Sequence, residues 1–230
     1  RLVRSMAAAG VTLKALDAAA EALIVSRGAH PTFKGYHGFP AALCLSVNEQ
    51  VVHGIPSRRA LEPGDVLSVD CGATLDGYVG DSAITVAIGE VSQDKRQLIE
   101  TTRLSLLAGI EAARPGNTVG DIGAAIEAVI NERGYGIVRE YCGHGIGTAL
   151  HEDPQVPNYG EAGTGPTIES GWCLAIEPMV NLGGDEVVTL PDGWTVVTRD
   201  GTASAHFELA IAILSDEVQI LTLTSDGEMP

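Results

Sequence analysis

The chain nearly repeats itself, and this internal repeat is the feature that most restricts its possible folds. Residues 10–28 (GVTLKALDAAAEALIVSRG) align with residues 116–134 (GNTVGDIGAAIEAVINERG), with nine of nineteen residues identical. The offset between the two copies is 106 residues. We therefore predict one domain spanning 1–230, built from two related halves at about 10–110 and 116–225.

Acidic residues lie at matching places in the two copies. GDVLSVD, which ends at Asp70, aligns with GWCLAIE, which ends at Glu177. A second acid then opens an apolar run in each half, Asp81 in DSAITVAI and Glu208 in ELAIAIL. Two halves that each present two carboxylates at the ends of strands point to a shared site where the halves meet.

Composition excludes some classes of partner. Hydrophobic residues make up 45% of the chain, which is typical of a globular protein. The formal net charge of −16 argues against nucleic acid, whose phosphates require a Lys/Arg surface. It also argues against binding to an anionic membrane face.

Cysteine usage and the N-terminal segment bear on the compartment. The four cysteines form no CxxC pair, which predicts free thiols in a reducing compartment. Residues 1–9 (RLVRSMAAA) do not resemble a signal peptide, and no apolar run approaches the ~20 residues of a membrane span. We expect a cytoplasmic protein.

Hydrophobic periodicity predicts an α+β fold with two helix-strand-strand units in tandem. Helices are predicted over 10–28, with Thr12 as N-cap, and over 94–113 and 118–133. Strands are predicted over 41–53 (a pair turned at Asn48-Glu49), Val66–Asp70 and Ile84–Ile88 (joined by a hairpin at Asp76-Gly77), and near 137–142, 173–177, 187–190, 194–198, 207–214 and 218–223. The expected architecture is a curved antiparallel sheet with helices on its outer face.

The four carboxylates predict a metal site. Asp70 and Asp81 flank the predicted hairpin, so they come to one place on adjacent strands, and Glu177 and Glu208 are their counterparts in the second half. Four buried carboxylates repel one another strongly unless cations lie between them. Pairing with Arg or Lys is the alternative, but the chain has only fourteen such residues and none flanks these strands.

The histidines add one candidate nitrogen ligand. His144 lies in CGHGIG, where glycines allow close approach of the backbone, and it aligns with His37 in the first half. His53 and His151 lie in loops rich in Gly, Pro or acidic residues, and His206 shares a strand face with Glu208.

This donor set indicates the kind of metal site. Four carboxylates and one imidazole suit two divalent ions with shared carboxylates better than a tetrahedral structural zinc site. Two ions about 3.5–4 Å apart activate water and polarise a carbonyl group, which is the chemistry of hydrolysis.

Six motifs in order make the chain similar to the type I methionine aminopeptidases. These belong to the pita-bread family, which also includes prolidases, X-Pro aminopeptidases and creatinases. The similarity covers nearly the whole chain, through GYHGFP, SVNEQVVHGIPS, VDCGATLDGYVGDSA, CGHGIG, AIEPM and HFE. The resemblance implies the pita-bread (creatinase/aminopeptidase) fold with its pseudo-twofold repeat. It also implies two divalent ions (Co, Mn, Fe or Zn) held by Asp70, Asp81, His144, Glu177 and Glu208, with Asp81 and Glu208 bridging.

The resemblance further implies removal of the initiator methionine from new polypeptides whose second residue is small. Glu177 would accept a proton from the attacking water, His151 would stabilise the oxyanion, and His53 would contact the substrate or assist proton transfer. The implied methionine pocket consists of Tyr36, His37, Phe39, Cys44 and Trp194, together with His53 and His151. The implied partners are nascent polypeptide N-termini, with the ribosome as a candidate partner and a monomer as the expected state.

The chain departs from the family pattern at two places. Leu209-Ala210 follow Glu208 where His-Thr is common, and Leu150 precedes His151 where many relatives carry an aromatic residue. Two other functions stay open: an X-Pro aminopeptidase or prolidase with the same ligands, and a binding module that keeps the fold without catalysis.

Overall fold

The computed structural model describes residues 1–223, which contain four α-helices and fifteen strands. The helices are α1 (Leu2–Met6), α2 (Leu13–Ser26), α3 (Gln93–Ala112) and α4 (Val119–Asn131). The strands are β1 (His30–Pro31), β2 (Cys44–Val47), β3 (Gln50–Val52), β4 (Val66–Leu75), β5 (Tyr78–Ala87), β6 (Gly136–Ile137), β7 (Gly143–Gly145), β8 (Glu152–Val156), β9 (Cys173–Ile176), β10 (Met179–Asn181), β11 (Val187–Thr189), β12 (Val196–Thr198), β13 (Ser204–His206), β14 (Glu208–Ile213) and β15 (Val218–Ile220). The last two residues of the predicted second half, 224 and 225, lie outside the described residues.

The repeated helices α2 and α4 begin and end in the same way. Thr12 caps α2 by accepting a hydrogen bond from the third backbone N–H beyond it. Thr118 occupies the same place before α4, and its backbone N–H donates to the carboxylate of Asp121 in a capping box. Gly28 and Gly134 then follow the helices with φ of 77° and 68°, a left-handed conformation that glycine adopts without strain. The sequence repeat is therefore a structural repeat.

The main sheet joins strands from both halves. Its order is β1-β4-β5-β14-β9-β7-β8, with β2 also paired to β4 and β15 to β14, and every pairing is antiparallel. The predicted turn joins β4 to β5, with φ of 51° at Asp76 and 84° at Gly77. Strands β2-β4-β5 of the first half mirror β7-β9-β14 of the second, so β5 and β14 meet at the pseudo-twofold axis.

Helices α2, α3 and α4 share one apolar core with the central strands. Leu16, Leu106 and Ile126 of the helices and Leu174 of β9 belong to it, and all four are fully buried. At Gly109, α3 comes so close to Ile126 of α4 that a side chain there would collide with it. Two three-stranded sheets, β13-β10-β6 and β11-β12-β3, complete the strands.

The structure confirms the three predicted helices and most predicted strands, with some differences. The strand predicted over 137–142 is limited to Gly136–Ile137, and α1, β1, β7, β8, β10 and β13 were not predicted. These elements are short, and strands such as β10 and β13 depend on pairing between distant parts of the chain. In that pair Met179 lies opposite His206. All four cysteines are free. Within residues 1–223, no helix has the length and apolarity needed to span a membrane.

Candidate metal centre

Five neighbouring strands of the main sheet each bring one candidate ligand to the same region. Their order across the sheet is β4, β5, β14, β9 and β7. In that order the side chains are Asp70, Asp81, Glu208, Glu177 (directly after β9) and His144. The register brings them together, because Asp70 and Glu208 are both paired with Ala83 of β5.

His144 is oriented by its own backbone neighbourhood. A side chain at Gly143 or Gly145 would collide with a carbonyl oxygen of the adjacent strand, so only glycine permits the strand spacing here. The Nδ1 of His144 is 2.9 Å from the carbonyl oxygen of Gly145, which can only accept, so Nδ1 carries the proton. The other nitrogen, Nε2, lies 3.7 Å from Oε1 of Glu177. This is the arrangement typical of a metal-binding imidazole.

The carboxylates lack the partners that buried charges require. Asp81 and Glu208 are 3% and 2% exposed. Asp70 Oδ1, Asp81 Oδ1 and Glu208 Oε1 are inaccessible to solvent and have no hydrogen-bond partner among residues 1–223. Unpaired buried carboxylate oxygens are costly, so this cluster requires either protons or cations.

The pKa values of the four carboxylates are all raised, as expected for buried acids without compensating cations. Burial and the charge of Glu177 raise the pKa of Asp81 to about 7, and burial raises the pKa of Glu177 to about 7. Burial and the neighbouring carboxylates raise the pKa of Asp70 and of Glu208 well above the usual range. The metal-free centre therefore holds protons near neutral pH, which a divalent cation would displace.

Glu177 lies between two imidazoles. Its Oε1 faces His144, and its Oε2 lies 3.3 Å from Nε2 of His206. His206 is 1% exposed, and burial lowers its pKa to about 3, so the ring is neutral. The ligand atoms fall into two groups whose members lie within 4.8 Å of one another, Asp81 with His144 and Glu208, and Glu177 with His206 and Glu208. Glu208 belongs to both groups.

A cavity of about 230 Å³ opens beside these carboxylates. Eleven of the twelve residues predicted for the site line this cavity. They are Tyr36, Phe39, Cys44, His53, Asp70, Asp81, His144, His151, Glu177, Trp194 and Glu208. The exception is His37, which is exposed and packs edge-on against the ring of Tyr36. His37 is therefore absent from the cavity lining of the described residues, although it lies near enough to His151 to affect the pKa of that ring.

His151 is held next to His144 by a tyrosine. Its Nδ1 lies 2.7 Å from the hydroxyl oxygen of Tyr36, and its ring is edge-on to His144 at 4.4 Å between centroids. Burial lowers the pKa of His151, as do the nearby His53 and His37. Burial lowers the pKa of His53 more strongly, to about 4. Both rings are thus neutral at physiological pH and able to donate one hydrogen bond each.

The rest of the cavity wall is apolar. Phe39, Cys44 and Leu150 are buried in one cluster, against which Tyr36 and Trp194 pack. Phe39 and Trp194 stack edge-on at 5.1 Å. Six further residues line the cavity and were not predicted to do so from the sequence. They are Phe33, Val52, Tyr141, Cys142, Met179 and His206. Of these, only Cys142, in the glycine motif of His144, and His206, two residues from Glu208, carried a usable sequence signal.

The residues present fit a pair of divalent cations. The cavity lining formed by the described residues contains four carboxylates and no Lys or Arg. Oxygen donors with a few imidazoles favour ions such as Mn, Fe, Co or Zn. An apolar pocket beside such a centre can hold an uncharged side chain while a peptide bond lies against the polar groups.

The chain matches the model of metallopeptidase family M24 over residues 1–213. It is 51% identical to a methionine aminopeptidase of Clostridium acetobutylicum, over 96% of this chain and 89% of the relative. It is 50% identical to methionine aminopeptidase 1 of Bacillus subtilis, over 93% of this chain and 86% of that relative.

Solved structures show the same fold. The methionine aminopeptidase of Thermotoga maritima superposes with a TM-score of 0.95 at 42% identity, covering 96% of this chain and 90% of that one. A prolidase from Pyrococcus horikoshii superposes with a TM-score of 0.73 at 23% identity and covers 94% of this chain but 55% of its own. These similarities confirm the fold class predicted from the sequence.

Proposed function

The chain belongs to metallopeptidase family M24, and on that premise we propose that it is a metal-dependent aminopeptidase that removes the N-terminal methionine from polypeptides whose second residue is small. The observation that carries this proposal is the convergence of Asp70, Asp81, His144, Glu177 and Glu208, from five adjacent strands, on a cavity with an apolar wall. Newly made polypeptides are the proposed substrates, and the cytoplasm is the proposed compartment.

We propose that those five residues would hold two divalent ions. Glu208 belongs to both groups of neighbouring ligand atoms, and the family resemblance implies that Asp81 would be shared as well. Support comes from the unpartnered carboxylate oxygens among the described residues and from a cavity lining that contains no Lys or Arg among those residues. When bound, such ions polarise a peptide carbonyl and make water a stronger nucleophile. The hydrogen bond from His144 Nδ1–H to the carbonyl oxygen of Gly145 orients the ring and leaves Nε2 available to bind.

Glu177 is the proposed proton acceptor. Water adds to the carbonyl carbon of the N-terminal methionine, and a carboxylate must take one proton from it as the bond forms. Glu177 lines the cavity and lies between His144 and His206, so its carboxylate faces the place where that water would lie. The proton then passes to the leaving nitrogen as the C–N bond breaks, releasing free methionine and the shortened chain.

The neutral imidazoles of His151 and His53 supply hydrogen bonds. If Tyr36 donates to Nδ1 of His151, the proton of His151 is on Nε2, where it can donate to the developing oxyanion. His53 lines the same cavity and is proposed to bind the next peptide unit of the substrate. The apolar wall of Phe39, Cys44 and Trp194 suits the thioether of methionine.

The Tyr36 hydroxyl provides a first mutational test. We expect Tyr36→Phe to lower kcat about tenfold and change KM little, since one hydrogen bond that orients His151 is lost, worth about 1–1.5 kcal/mol. Steady-state hydrolysis of a Met-Ala peptide measures both constants. Tyr78→Phe is the matched control, because Tyr78 is 67% exposed on the β4-β5 turn. An unchanged kcat for Tyr36→Phe would show that the Tyr36 hydroxyl does not orient His151 for catalysis.

The proposed function is tested by hydrolysis of Met-Ala-Ser, Ala-Pro and Met-Lys peptides by the full chain. We expect cleavage of Met-Ala-Ser alone, loss of activity with a chelator, and recovery on adding Mn, Fe, Co or Zn. Preference for Ala-Pro would instead identify an X-Pro peptidase. Inactivity on all peptides with all four metals would identify a binding module.

The comparisons favour the methionine substrate over the X-Pro substrate. Identities to methionine aminopeptidases reach 51%, whereas the prolidases and the X-Pro aminopeptidase share the fold at 22–23%. All five candidate ligands are present, which does not favour a module that has lost catalysis.

A further inference from the structure

His206 is a second imidazole at the metal centre that the five-ligand assignment leaves without a role. Its Nε2 lies 3.3 Å from Oε2 of Glu177, and the ligand atoms of Glu177, His206 and Glu208 lie within 4.8 Å of one another. Despite that proximity, Nε2 is inaccessible to solvent and makes no hydrogen bond with any residue in 1–223. The ring also lines the cavity. A buried polar nitrogen without a partner is costly, so it calls for one.

The backbone of His206 is fixed by hydrogen bonds to strand β5. Its N–H donates to Thr85 Oγ1 at 2.9 Å, and the Thr85 hydroxyl donates to its carbonyl oxygen at 2.7 Å. Ser68 must then donate to Thr85 Oγ1, at 2.9 Å, because the Thr85 proton is already used. On the other side, β13 pairs with β10, with Met179 opposite His206. The strand that carries the ring is therefore held rigidly beside Glu177.

Each of the two groups of candidate ligands contains one imidazole. One group contains Asp81, His144 and Glu208, the other contains Glu177, His206 and Glu208, and all ligand atoms within a group are close enough to surround one ion. We propose that His206 Nε2 is a sixth ligand of the centre, so that each of its two ions receives one imidazole. This inference rests on the dinuclear site proposed above. An added nitrogen donor shifts the preference of the second ion from Mn toward Co or Zn.

Proton NMR of the Co(II)-loaded full chain tests the proposal by counting imidazoles. Each Co-bound histidine gives strongly shifted ring signals, which ¹⁵N-histidine labelling identifies. We expect two sets in the unmodified chain and one set after His206→Gln. Gln keeps a polar amide at this buried position but offers no imidazole nitrogen. His30→Gln is the matched control, because His30 is exposed on β1 and should leave both sets unchanged.

Calorimetric titration of the metal-free chain gives an independent readout. We expect His206→Gln to weaken binding of the second Co(II) by about 10–100-fold while the first site changes little. A single set of shifted signals in the unmodified chain, retained after His206→Gln, would overturn the proposal and leave His206 as a neighbour of Glu177 only. That count uses the unmodified chain and does not depend on the folding of a variant. A failure of Co(II) to bind at all would overturn the dinuclear site as well, so the two failures are distinguishable.

Discussion

Glu208→Gln is expected to lower the hydrolysis of a Met-Ala peptide by about 10³-fold or more. Glu208 belongs to both groups of candidate ligands and is 2% exposed, so no other side chain can take its place. Gln has the same shape but lacks the charge that holds two cations together. Losing that charge stabilisation in the transition state costs about 4 kcal/mol, which corresponds to the expected loss in rate.

The same substitution should stabilise the metal-free protein. The pKa of Glu208 is raised by burial and by the charges of Asp81, Glu177 and Asp70, so this carboxylate is under repulsion in the folded state. We expect the melting temperature of metal-free Glu208→Gln to exceed that of the unmodified chain by several degrees, measured by calorimetry with a chelator present. Added metal should stabilise only the unmodified chain.

Glu186→Gln is the matched control for this experiment. Glu186 is exposed and pairs with Arg199 at 3.0 Å, away from the cavity lining. Its replacement should leave both the rate and the melting temperature within a small margin of the unmodified values. Full activity of Glu208→Gln, or a lower metal-free melting temperature, would contradict the metal centre described here.

The stability of the metal-free protein should fall as pH rises from 6.5 to 8. The pKa values of Asp81 and Glu177 are raised to about 7, and those of Asp70 and Glu208 are raised well above their usual range. Across this window the folded state therefore binds more protons than the unfolded state, and the free energy of unfolding decreases with pH. The expected loss is about 2–4 kcal/mol, or a fall of about 5–10 °C in melting temperature.

The window is chosen so that histidines do not mask the effect. Burial lowers the pKa of His53 to about 4 and that of His206 to about 3, whereas the pKa of histidine in the unfolded chain is 6.5. These histidines therefore make the free energy of unfolding rise with pH, but only below pH 6.5. Calorimetry at fixed ionic strength should show the fall in the chelated protein. Saturating Co(II) should remove most of it, and the slope should be shallower in Glu208→Gln. A flat profile in chelator would show that the carboxylates are not under mutual repulsion.

The parts of the fold that follow from local chemistry were predictable from the sequence. The repeat, the threonine caps at Thr12 and Thr118, and the Asp76-Gly77 turn each depend on neighbouring residues, and all three are found. The four carboxylates were predictable because a charge next to an apolar run must be compensated, although Asp70 and Asp81 lie within β4 and β5 and not at strand ends as predicted. Their order across five adjacent strands follows from the hairpins and the repeat.

Short strands and cavity residues that depend on contacts between distant parts of the chain were not predictable from the sequence. Strands β10 and β13 are three residues each and pair with each other across a loop that contains β11 and β12. Phe33 and Tyr141 reach the cavity from loops whose sequence gives no periodic signal. The family resemblance implies that His37 belongs to the pocket, whereas in the described residues His37 is exposed and does not line the cavity. His206 follows the expected alternation with Glu208, yet its ring nitrogen Nε2 lies 3.3 Å from Oε2 of Glu177.

The most direct test is the intact mass of a purified protein that begins Met-Ala, after incubation with the Co(II)-loaded chain. We expect loss of one methionine residue and no further shortening. We expect no change in mass with a Met-Lys protein, with chelator present, or with the Glu208→Gln variant. An unchanged Met-Ala protein, or removal of residues beyond the methionine, would contradict the proposed function.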